Sequence, residues 1–199
     1  MNEHVVFGSG PLGLSVVDAL LRRGEAVRLV NRSGGRGGIP AGGEVVRGDA
    51  TNPADTVRLC AGATHVYNCL NAPDYHRWPE QFPPLQAGVL AGAAAAGAKL
   101  VVLENLYMYG PNGGAPLAEG TPMRAAGPRG GTRRRMTEAL FGAHREGRVR
   151  VTSARAADFY GPGVAQSLVG RGVFAKALKG ERVTLAADPT RLHTVSFIG

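Results

Sequence analysis

The sequence predicts an α/β protein built on a doubly wound parallel sheet with helices on both faces. Short apolar segments alternate with helical segments along most of the 199 residues, which is typical of parallel strands joined by crossover helices. Several of these segments are continuously apolar, as strands buried on both faces are. A glycine-rich turn joins the first strand to the first helix. The predicted strands are residues 4–7, 27–30, 44–47, 65–69, 100–103 and 149–154.

The first strand leads into a turn in which Gly8, Gly10 and Gly13 have the spacing G-x-G-x-x-G. The first glycine permits a tight turn, the second lets backbone N–H groups approach a pyrophosphate, and the third lets helix and strand pack closely. Phosphates are also favoured at the positive end of a helix dipole. We predict a dinucleotide site here, with further contacts from Pro11 and Leu12. The alternative is that the glycines only turn the strand into the helix.

The residues after the second strand bear on the choice of dinucleotide. Sites that prefer NAD usually have Asp or Glu there, about 20 residues beyond the glycines, to bind the ribose hydroxyls. This chain has Asn31, Arg32 and Ser33 instead, with Arg36 close behind. Because an arginine can pair with a 2′-phosphate, we predict NADP(H) in preference to NAD(H), with Asn31 and Arg32 as contacts. The alternative is that Arg32 is a solvated loop residue.

The net charge of +8 raises the question of a nucleic-acid partner. Arginines are scattered over the chain, and the one cluster is Arg129 with residues 133–135. Consecutive arginines on a helix point in different directions, so these cannot form one basic stripe. No interleaved aromatic residues or nucleic-acid-binding module accompany them, and we predict no nucleic-acid partner.

The cysteines bear on compartment and metal binding. Cys60 and Cys69 form neither a C-x-x-C pair nor a disulfide framework, so we predict no metal site and a reducing compartment. The amino-terminal apolar segment is only a strand long and lacks the basic flank of a signal peptide. The Ala-rich segment at residues 90–98 is too short to cross a bilayer. We therefore expect a cytoplasmic protein with no membrane segment.

The later elements continue the alternation. A helix is expected to begin after Asn52, a suitable N-cap followed by Pro53. Residues 70–84, which contain several prolines, are expected to form a loop, and helices are expected at residues 85–96 and 132–145. A helix at residues 166–178 and a strand at residues 182–186 would belong to a smaller lobe. The expected division is a dinucleotide-binding domain at residues 1–160 and a partial substrate lobe at residues 161–199.

Five segments carry a family resemblance when they are taken together. They are FGSGPLG at residues 7–13, GDAT at 48–51, VYNCLNAP at 66–73, ENLYMYGP at 104–111 and ADFYGPG at 157–163. The chain resembles the short-chain dehydrogenase/reductase superfamily in its extended branch, which is often called NAD-dependent epimerase/dehydratase-like. The resemblance implies a Rossmann fold, an NAD(P) cofactor, a carbonyl or carbinol substrate such as a sugar nucleotide or small metabolite, and pairing into a homodimer. It also implies a truncated small lobe, because family members usually continue further.

The resemblance assigns further residues to the cofactor. Asp49, directly after the third strand, is expected to contact the adenine as the corresponding aspartate does in the family. Additional cofactor contacts are expected at Ala50, Leu70, Asn71 and Arg129.

The chain departs from the family's catalytic centre, which combines Ser or Thr with Tyr-x-x-x-Lys. Asn105 stands at the serine position, where its amide can still donate a hydrogen bond to a developing oxyanion. The positions of the Tyr-x-x-x-Lys pair hold Gly130 and Arg134, or Arg129 and Arg133. An arginine can supply positive charge but cannot release a proton at neutral pH.

A proton donor must therefore come from another residue if the protein is an enzyme. Tyr107 or Tyr109 is the first choice, and Tyr75, His76 and Asp74 are further candidates near the carboxyl ends of the strands. The expected activity is that of an NAD(P)-dependent oxidoreductase or an epimerase-like enzyme, with Asn105 polarising the substrate oxygen. The competing hypothesis is a non-catalytic NADP(H)-binding sensor or scaffold, which the missing Tyr-x-x-x-Lys pair favours.

Overall fold

The main sheet of the protein contains six parallel strands. The computed structural model describes residues 3–35, 38–164, 167, 169–185, 188, 190 and 192–198. The strands are β1 (Glu3–Phe7), β2 (Ala26–Asn31), β3 (Glu44–Arg47), β4 (His65–Asn68), β5 (Lys99–Glu104) and β6 (Arg150–Arg155). Their order across the sheet is β3-β2-β1-β4-β5-β6, so the winding reverses between β1 and β4. This confirms the predicted doubly wound sheet.

Helices cover both faces of this sheet. They are α1 (Pro11–Arg22), α2 (Pro53–Leu59), α3 (Trp78–Ala95) and α4 (Pro128–Arg145). On one face, Val6 and Leu29 pack against Val17 of α1. On the other face, Val5 and Leu100 belong to a core cluster with residues of α2, α3 and α4. Burying both faces in this way removes the apolar strands from water and stabilises the parallel sheet.

The start of α3 corrects the sequence prediction. We expected a loop through residue 84, but the helix begins at Trp78 and contains Pro83 and Pro84. Each of these prolines removes one backbone hydrogen bond from the helix. The buried rings of Trp78 and Phe82, which cluster with Met136 of α4, offset that loss by burying apolar surface.

Two further differences concern the later elements. Helix α4 begins at Pro128, four residues before the predicted start, because proline is well suited to the first helical position. A second, two-stranded parallel sheet pairs β7 (Asp158–Tyr160) with β8 (Val195–Phe197). The strand expected at residues 182–186 is absent from residues 182–185, and residue 186 lies outside the described residues.

In the described part of the segment between β7 and β8 lies one short helix, α5 (Arg171–Leu178). The predicted helix at residues 166–178 therefore starts later than expected, and residue 166 lies outside the described residues. The division into domains at residue 160 stays a prediction. No helix in the described ranges is long and apolar enough to cross a membrane.

A buried histidine lies at the edge of the sheet where the strands begin. His4 is 5% exposed, and its ring stacks on that of His65 with centroids 4.9 Å apart. Its Nδ1 lies 3.1 Å from the hydroxyl of Tyr67, and its Nε2 lies 3.6 Å from the carboxylate of Glu25. Burial lowers the pKa of His4, and the neighbouring His65 lowers it further, although Glu25 partly opposes this.

We expect this histidine to make the protein less stable in mild acid. Because the pKa of His4 is lower in the folded than in the unfolded chain, the unfolded state binds more protons below about pH 6.5. The free energy of unfolding should be constant above that pH and should fall as the pH decreases below it. Urea unfolding of wild type and His4→Phe at several pH values checks this. The variant should show a flatter pH profile, and identical profiles would contradict the expectation.

Candidate functional site

The glycine turn after β1 is held by very close backbone contacts. Gly8 has φ of +108°, and its N–H donates to the carbonyl of Val30 at 3.0 Å. A Cβ atom on Gly8 would lie 2.9 Å from the carbonyl oxygen of Cys69, at the end of β4. A Cβ on Gly13 would lie only 1.9 Å from the carbonyl oxygen of Gly8. The first and third glycines are therefore required by the protein's own packing.

Gly10 differs from both, because a Cβ at this position would meet no protein atom within 4 Å. The residue is exposed and caps the amino terminus of α1, where no side chain of the described residues accepts a hydrogen bond from the free N–H groups. The first turn of α1 carries no acidic residue. Pro11 and Leu12 open the helix and are half-buried. This open, uncapped helix end fits the pyrophosphate of a dinucleotide.

The motif ADFYGPG, which follows β6, also contacts the glycine turn. A Cβ on Gly163, which has φ of +75°, would lie 3.6 Å from Cγ of Pro11. The segments FGSGPLG and ADFYGPG, which lie far apart in sequence, are therefore brought together in space.

The loop after β2 contains the residues expected to select the dinucleotide. The side chain of Asn31 is engaged within the loop: its Oδ1 accepts from the N–H of Gly34 at 2.6 Å, and its Nδ2 donates to the carbonyl of Gly35 at 3.0 Å. Arg32 is exposed. Arg36 lies outside the described residues. Asn31 thus shapes the loop, while the guanidinium of Arg32 remains in solvent.

Asp49 follows β3 and faces the same region. Its Oδ1 accepts hydrogen bonds from the N–H and the hydroxyl of Thr51, at 2.9 and 2.8 Å. These hydrogen bonds lower the pKa of Asp49, and the charge of Arg32 adds to the effect. The next residue, Ala50, is buried against α3, where a Cβ on Gly88 would lie 1.9 Å from the Ala50 carbonyl oxygen. Packing of α3 therefore fixes the backbone beside this ionised carboxylate.

The residues after β4 lie next to the glycine turn. The N–H of Cys69 donates to the carbonyl of Phe7 at 2.9 Å. The N–H of Leu70 donates to Oδ1 of the buried Asn68 at 3.2 Å. Leu70 is half-buried and Asn71 is exposed. The two residues predicted as cofactor contacts are thus positioned where β4 ends, at the reversal of the sheet winding.

A cleft follows β5, beside the single turn Tyr107–Tyr109. Oδ1 of Asn105 accepts from the N–H of Tyr107 at 3.1 Å, which orients this turn. The hydroxyl of Tyr107 is hydrogen-bonded to the hydroxyl of Tyr75. Burial raises the pKa of Tyr107, and the hydrogen bond to Tyr75 raises it further. The Tyr107 phenol therefore stays protonated at neutral pH and releases its proton only to a stronger base, such as an alkoxide.

Arg129 lies at the other side of this cleft, in the first turn of α4. Its Cζ is 4.3 Å from the centroid of the Tyr75 ring. The cleft has a volume of about 560 Å³ and lies between the Tyr107–Tyr109 turn and the start of α4. The resemblance assigned Arg129 to the cofactor, and the structure brings it next to Tyr75 and Tyr107.

Gly130 is one of the two positions at which the family's tyrosine could fall, and it leaves no room for a larger side chain. A Cβ here would lie 2.7 Å from Cβ of Ala125 and 2.8 Å from the carbonyl oxygen of Tyr107. Arg134, one helical turn further, is half-buried, with its Nε 3.7 Å from the carboxylate of Glu138. The register Gly130 with Arg134 is thus closed to a tyrosine, whereas Arg129, which stands at the tyrosine position in the other register, is exposed.

Tyr109 lies in the protein interior rather than in the cleft. It is 3% exposed, and its hydroxyl accepts from the guanidinium of Arg155 at 2.6 Å. Arg155 also contacts the buried carboxylate of Glu104, whose oxygens accept hydrogen bonds from Thr137 and Ser153 at 2.6 Å each. No pattern in the sequence indicates this network, because its members come from four separate segments.

The other candidates from the sequence have local roles. Oδ1 of Asp74 accepts from the N–H of His76 at 2.8 Å and caps the short turn that precedes α3. His76 is exposed. One pair that the sequence analysis missed is His193 with Asp158. The Nε2 of His193 and the carboxylate of Asp158 lie 2.9 Å apart and link β7 to the segment just before β8. Among the described residues, no group of three potential metal ligands occurs.

The fold has close relatives among solved structures. UDP-N-acetylglucosamine 4-epimerase from Bacillus cereus superposes with a TM-score of 0.83 at 17% identity, over 100% of this chain and 68% of that one. The same enzyme from Methanobrevibacter ruminantium, in complex with UDP-N-acetylmuramic acid, gives 0.82 at 17% identity, over 100% and 70%. UDP-glucose 4-epimerase from Thermus thermophilus, in complex with NAD, gives 0.77 at 20% identity, over 99% and 71%.

At 17–20% identity, this structural likeness establishes the fold alone. The chain spans 68–71% of the length of these three proteins. A search of curated proteins found no significant match. The sequence matches the model of the NAD dependent epimerase/dehydratase family over residues 5–192. Because this match covers nearly the whole chain, the protein belongs to the NAD dependent epimerase/dehydratase family.

Proposed function

We propose that the protein binds an NAD(P) dinucleotide at the glycine turn and acts on a carbonyl or carbinol carbon in the adjoining cleft, as an oxidoreductase or an epimerase-like enzyme. The observation that carries this proposal is the open approach at Gly10 to the uncapped end of α1. The turn follows β1 and the Tyr107 turn follows β5, two strands away. Two strand spacings separate them by about 10 Å, which an extended dinucleotide can span.

Residues around the glycine turn can be assigned to the pyrophosphate, the adenine, the 2′-phosphate and the nicotinamide of such a cofactor. The pyrophosphate would lie at the free N–H groups of the α1 terminus. Asp49 and Ala50 would flank the adenine, and Arg32 would pair with a 2′-phosphate, so NADP(H) is preferred over NAD(H). Leu70 and Asn71 would lie towards the nicotinamide. The NAD complex of the Thermus thermophilus structure supports a dinucleotide in this fold.

A bound dinucleotide would supply or accept a hydride at the substrate carbon. The chain's own part is to move the proton. In the direction of reduction, the Tyr107 O–H donates its proton to the developing alkoxide, which gives the carbinol. Tyr75 is 41% exposed, and its hydroxyl is hydrogen-bonded to that of Tyr107. This hydroxyl returns a proton from solvent to Tyr107. Nδ2 of Asn105, which has no partner among the described residues, would donate a hydrogen bond to the same oxygen.

A second candidate function is a non-catalytic NADP(H)-binding sensor or scaffold. The observation in its favour is the start of α4, where neither Gly130 nor Arg129, the two candidates for the family's tyrosine position, can release a proton at neutral pH. This candidate predicts that the dinucleotide binds without being consumed. A homodimer and a cytoplasmic location remain predictions.

The cofactor preference can be measured by titrating the protein with NADPH and NADH and following nicotinamide fluorescence. We expect wild type to bind NADPH more tightly. Arg32→Ala should weaken NADPH binding about tenfold, since a charge-assisted contact of about 1.4 kcal/mol is lost. NADH binding should change little. Equal affinities in wild type, or an equal loss for both dinucleotides in the variant, would contradict the assignment of Arg32.

The location of the site can be tested with Gly10→Ala. Because a Cβ at residue 10 meets no protein atom, the variant should keep the wild-type melting temperature. Its methyl group enters the approach to the helix terminus, so both dinucleotides should bind at least about tenfold more weakly. Gly142→Ala, at another open position in the second half of α4, is the control and should bind like wild type. Unchanged binding by Gly10→Ala would place the dinucleotide elsewhere.

The proton donor can be tested with Tyr107→Phe in a carbonyl-reduction assay. Loss of general acid catalysis should lower kcat about 100-fold, while the affinity for the dinucleotide stays unchanged. Tyr109→Phe is the matched control and should retain kcat, because the Tyr109 hydroxyl lies in the protein interior. If Tyr107→Phe kept full activity, another proton donor would be required. If wild type bound the dinucleotide but reduced no carbonyl compound, the sensor function would be favoured.

A further inference from the structure

The cleft between the Tyr107–Tyr109 turn and α4 has the size and lining of a small-molecule site. Its volume of about 560 Å³ is within the range of ligand pockets in proteins. Much of its wall is apolar, with contributions from Leu106, Pro111, Ala125 and Pro128. Such a wall excludes water from flat, apolar parts of a ligand and gains little from a ligand rich in hydroxyl groups.

The polar groups in this wall are already partly engaged. The hydroxyls of Tyr75 and Tyr107 are hydrogen-bonded to each other. Their rings lie nearly perpendicular, at 88°, with centroids 6.2 Å apart. The indole of Trp78 lies behind them, 4.8 Å from the Tyr75 ring and 5.4 Å from the Tyr107 ring. This arrangement forms an aromatic wall with one phenol pair, and aromatic rings pack well against such a wall.

One positive charge in the cleft has no carboxylate partner among the described residues. Arg129 is exposed and forms no ion pair with any described residue, whereas Arg133 and Arg134 on the same helix face Glu104 and Glu138. The first turn of α4 carries no acidic side chain. Arg129 lies over the Tyr75 ring, so its guanidinium is held at the edge of the aromatic wall. A ligand carboxylate at this point could form a charge-assisted hydrogen bond.

We propose that this cleft binds an aromatic carbonyl compound that carries a carboxylate. The carboxylate pairs with Arg129, the ring packs against Tyr107 and the apolar wall, and the carbonyl oxygen lies near the Tyr107 hydroxyl. The inference deepens the proposed function, because it names the substrate class of the same site. It assigns Arg129 to the substrate, whereas the family resemblance had assigned this residue to the cofactor.

Trp78 provides a direct measure of binding that does not depend on catalysis. It is the only tryptophan in the chain and lies against both tyrosines of the cleft. We would titrate the protein with 4-carboxybenzaldehyde, benzaldehyde and UDP-glucose, follow tryptophan emission, and repeat each titration by calorimetry. The carboxylated aldehyde should bind saturably and at least about tenfold more tightly than benzaldehyde.

Arg129→Met should abolish this preference and bind both aldehydes equally. Arg145→Met, which removes another exposed arginine from the far end of α4, is the matched control and should keep the wild-type preference. Both arginines are exposed, so neither substitution removes a buried contact. Equal effects of the two variants would overturn the inference, because the preference would then reflect net charge alone.

The remaining outcomes separate this inference from the proposed function. If 4-carboxybenzaldehyde binds through Arg129 but NADPH is not consumed, the substrate assignment holds and the proposed chemistry fails. If NADPH is consumed with UDP-glucose and the aromatic aldehydes neither bind nor react, the chemistry holds and the inference is overturned. A loss of NADPH affinity in Arg129→Met as large as its loss of 4-carboxybenzaldehyde affinity would return Arg129 to the cofactor and also overturn the inference.

Discussion

The candidate site depends on the hydrogen bonds and ion pairs of the buried Glu104 carboxylate. It terminates β5 and has no exposed side-chain surface. Thr137 and Arg133 approach one oxygen from α4, and Ser153 and Arg155 approach the other from β6. A buried carboxylate is tolerated only when it is paired and hydrogen-bonded in this way, and removing it would leave two arginines without their buried partner. The network thus fixes the point from which the Tyr107 turn leaves the sheet.

The two parts of the site are built by different means. The glycine turn is defined by the backbone: Gly13 presses against the carbonyl of Gly8, and Gly10 is left open to solvent. The cleft is defined by side chains from the turn before α3, the end of β5 and the start of α4. A backbone site of this kind can serve any dinucleotide enzyme of the fold, whereas the side chains of the cleft decide the substrate and the chemistry.

The closed position at Gly130 brings the start of α4 close to the Tyr107 turn. With no side chain there, α4 packs directly on the carbonyl of Tyr107. Tyr107 and Tyr75 both line the cleft, and their hydroxyls are hydrogen-bonded to each other. Burial keeps the Tyr107 pKa high, so this phenol keeps its proton at neutral pH and is not available as a base. A base would have to act from outside the pair in the direction of oxidation.

The sequence by itself determined the parallel sheet, the glycine turn and the Asn52 cap of α2, because periodicity, spacing and capping act between neighbouring residues. Only the tertiary structure decided which tyrosine faces the cleft. Tyr107 and Tyr109 are two residues apart, yet one pairs with Tyr75, 32 positions away, and the other is buried against Arg155, 46 positions away. The early start of α3 was decided in the same way, by packing of Trp78 and Phe82 that outweighs the local effect of proline. Such contacts join residues distant in sequence, and no local pattern specifies them.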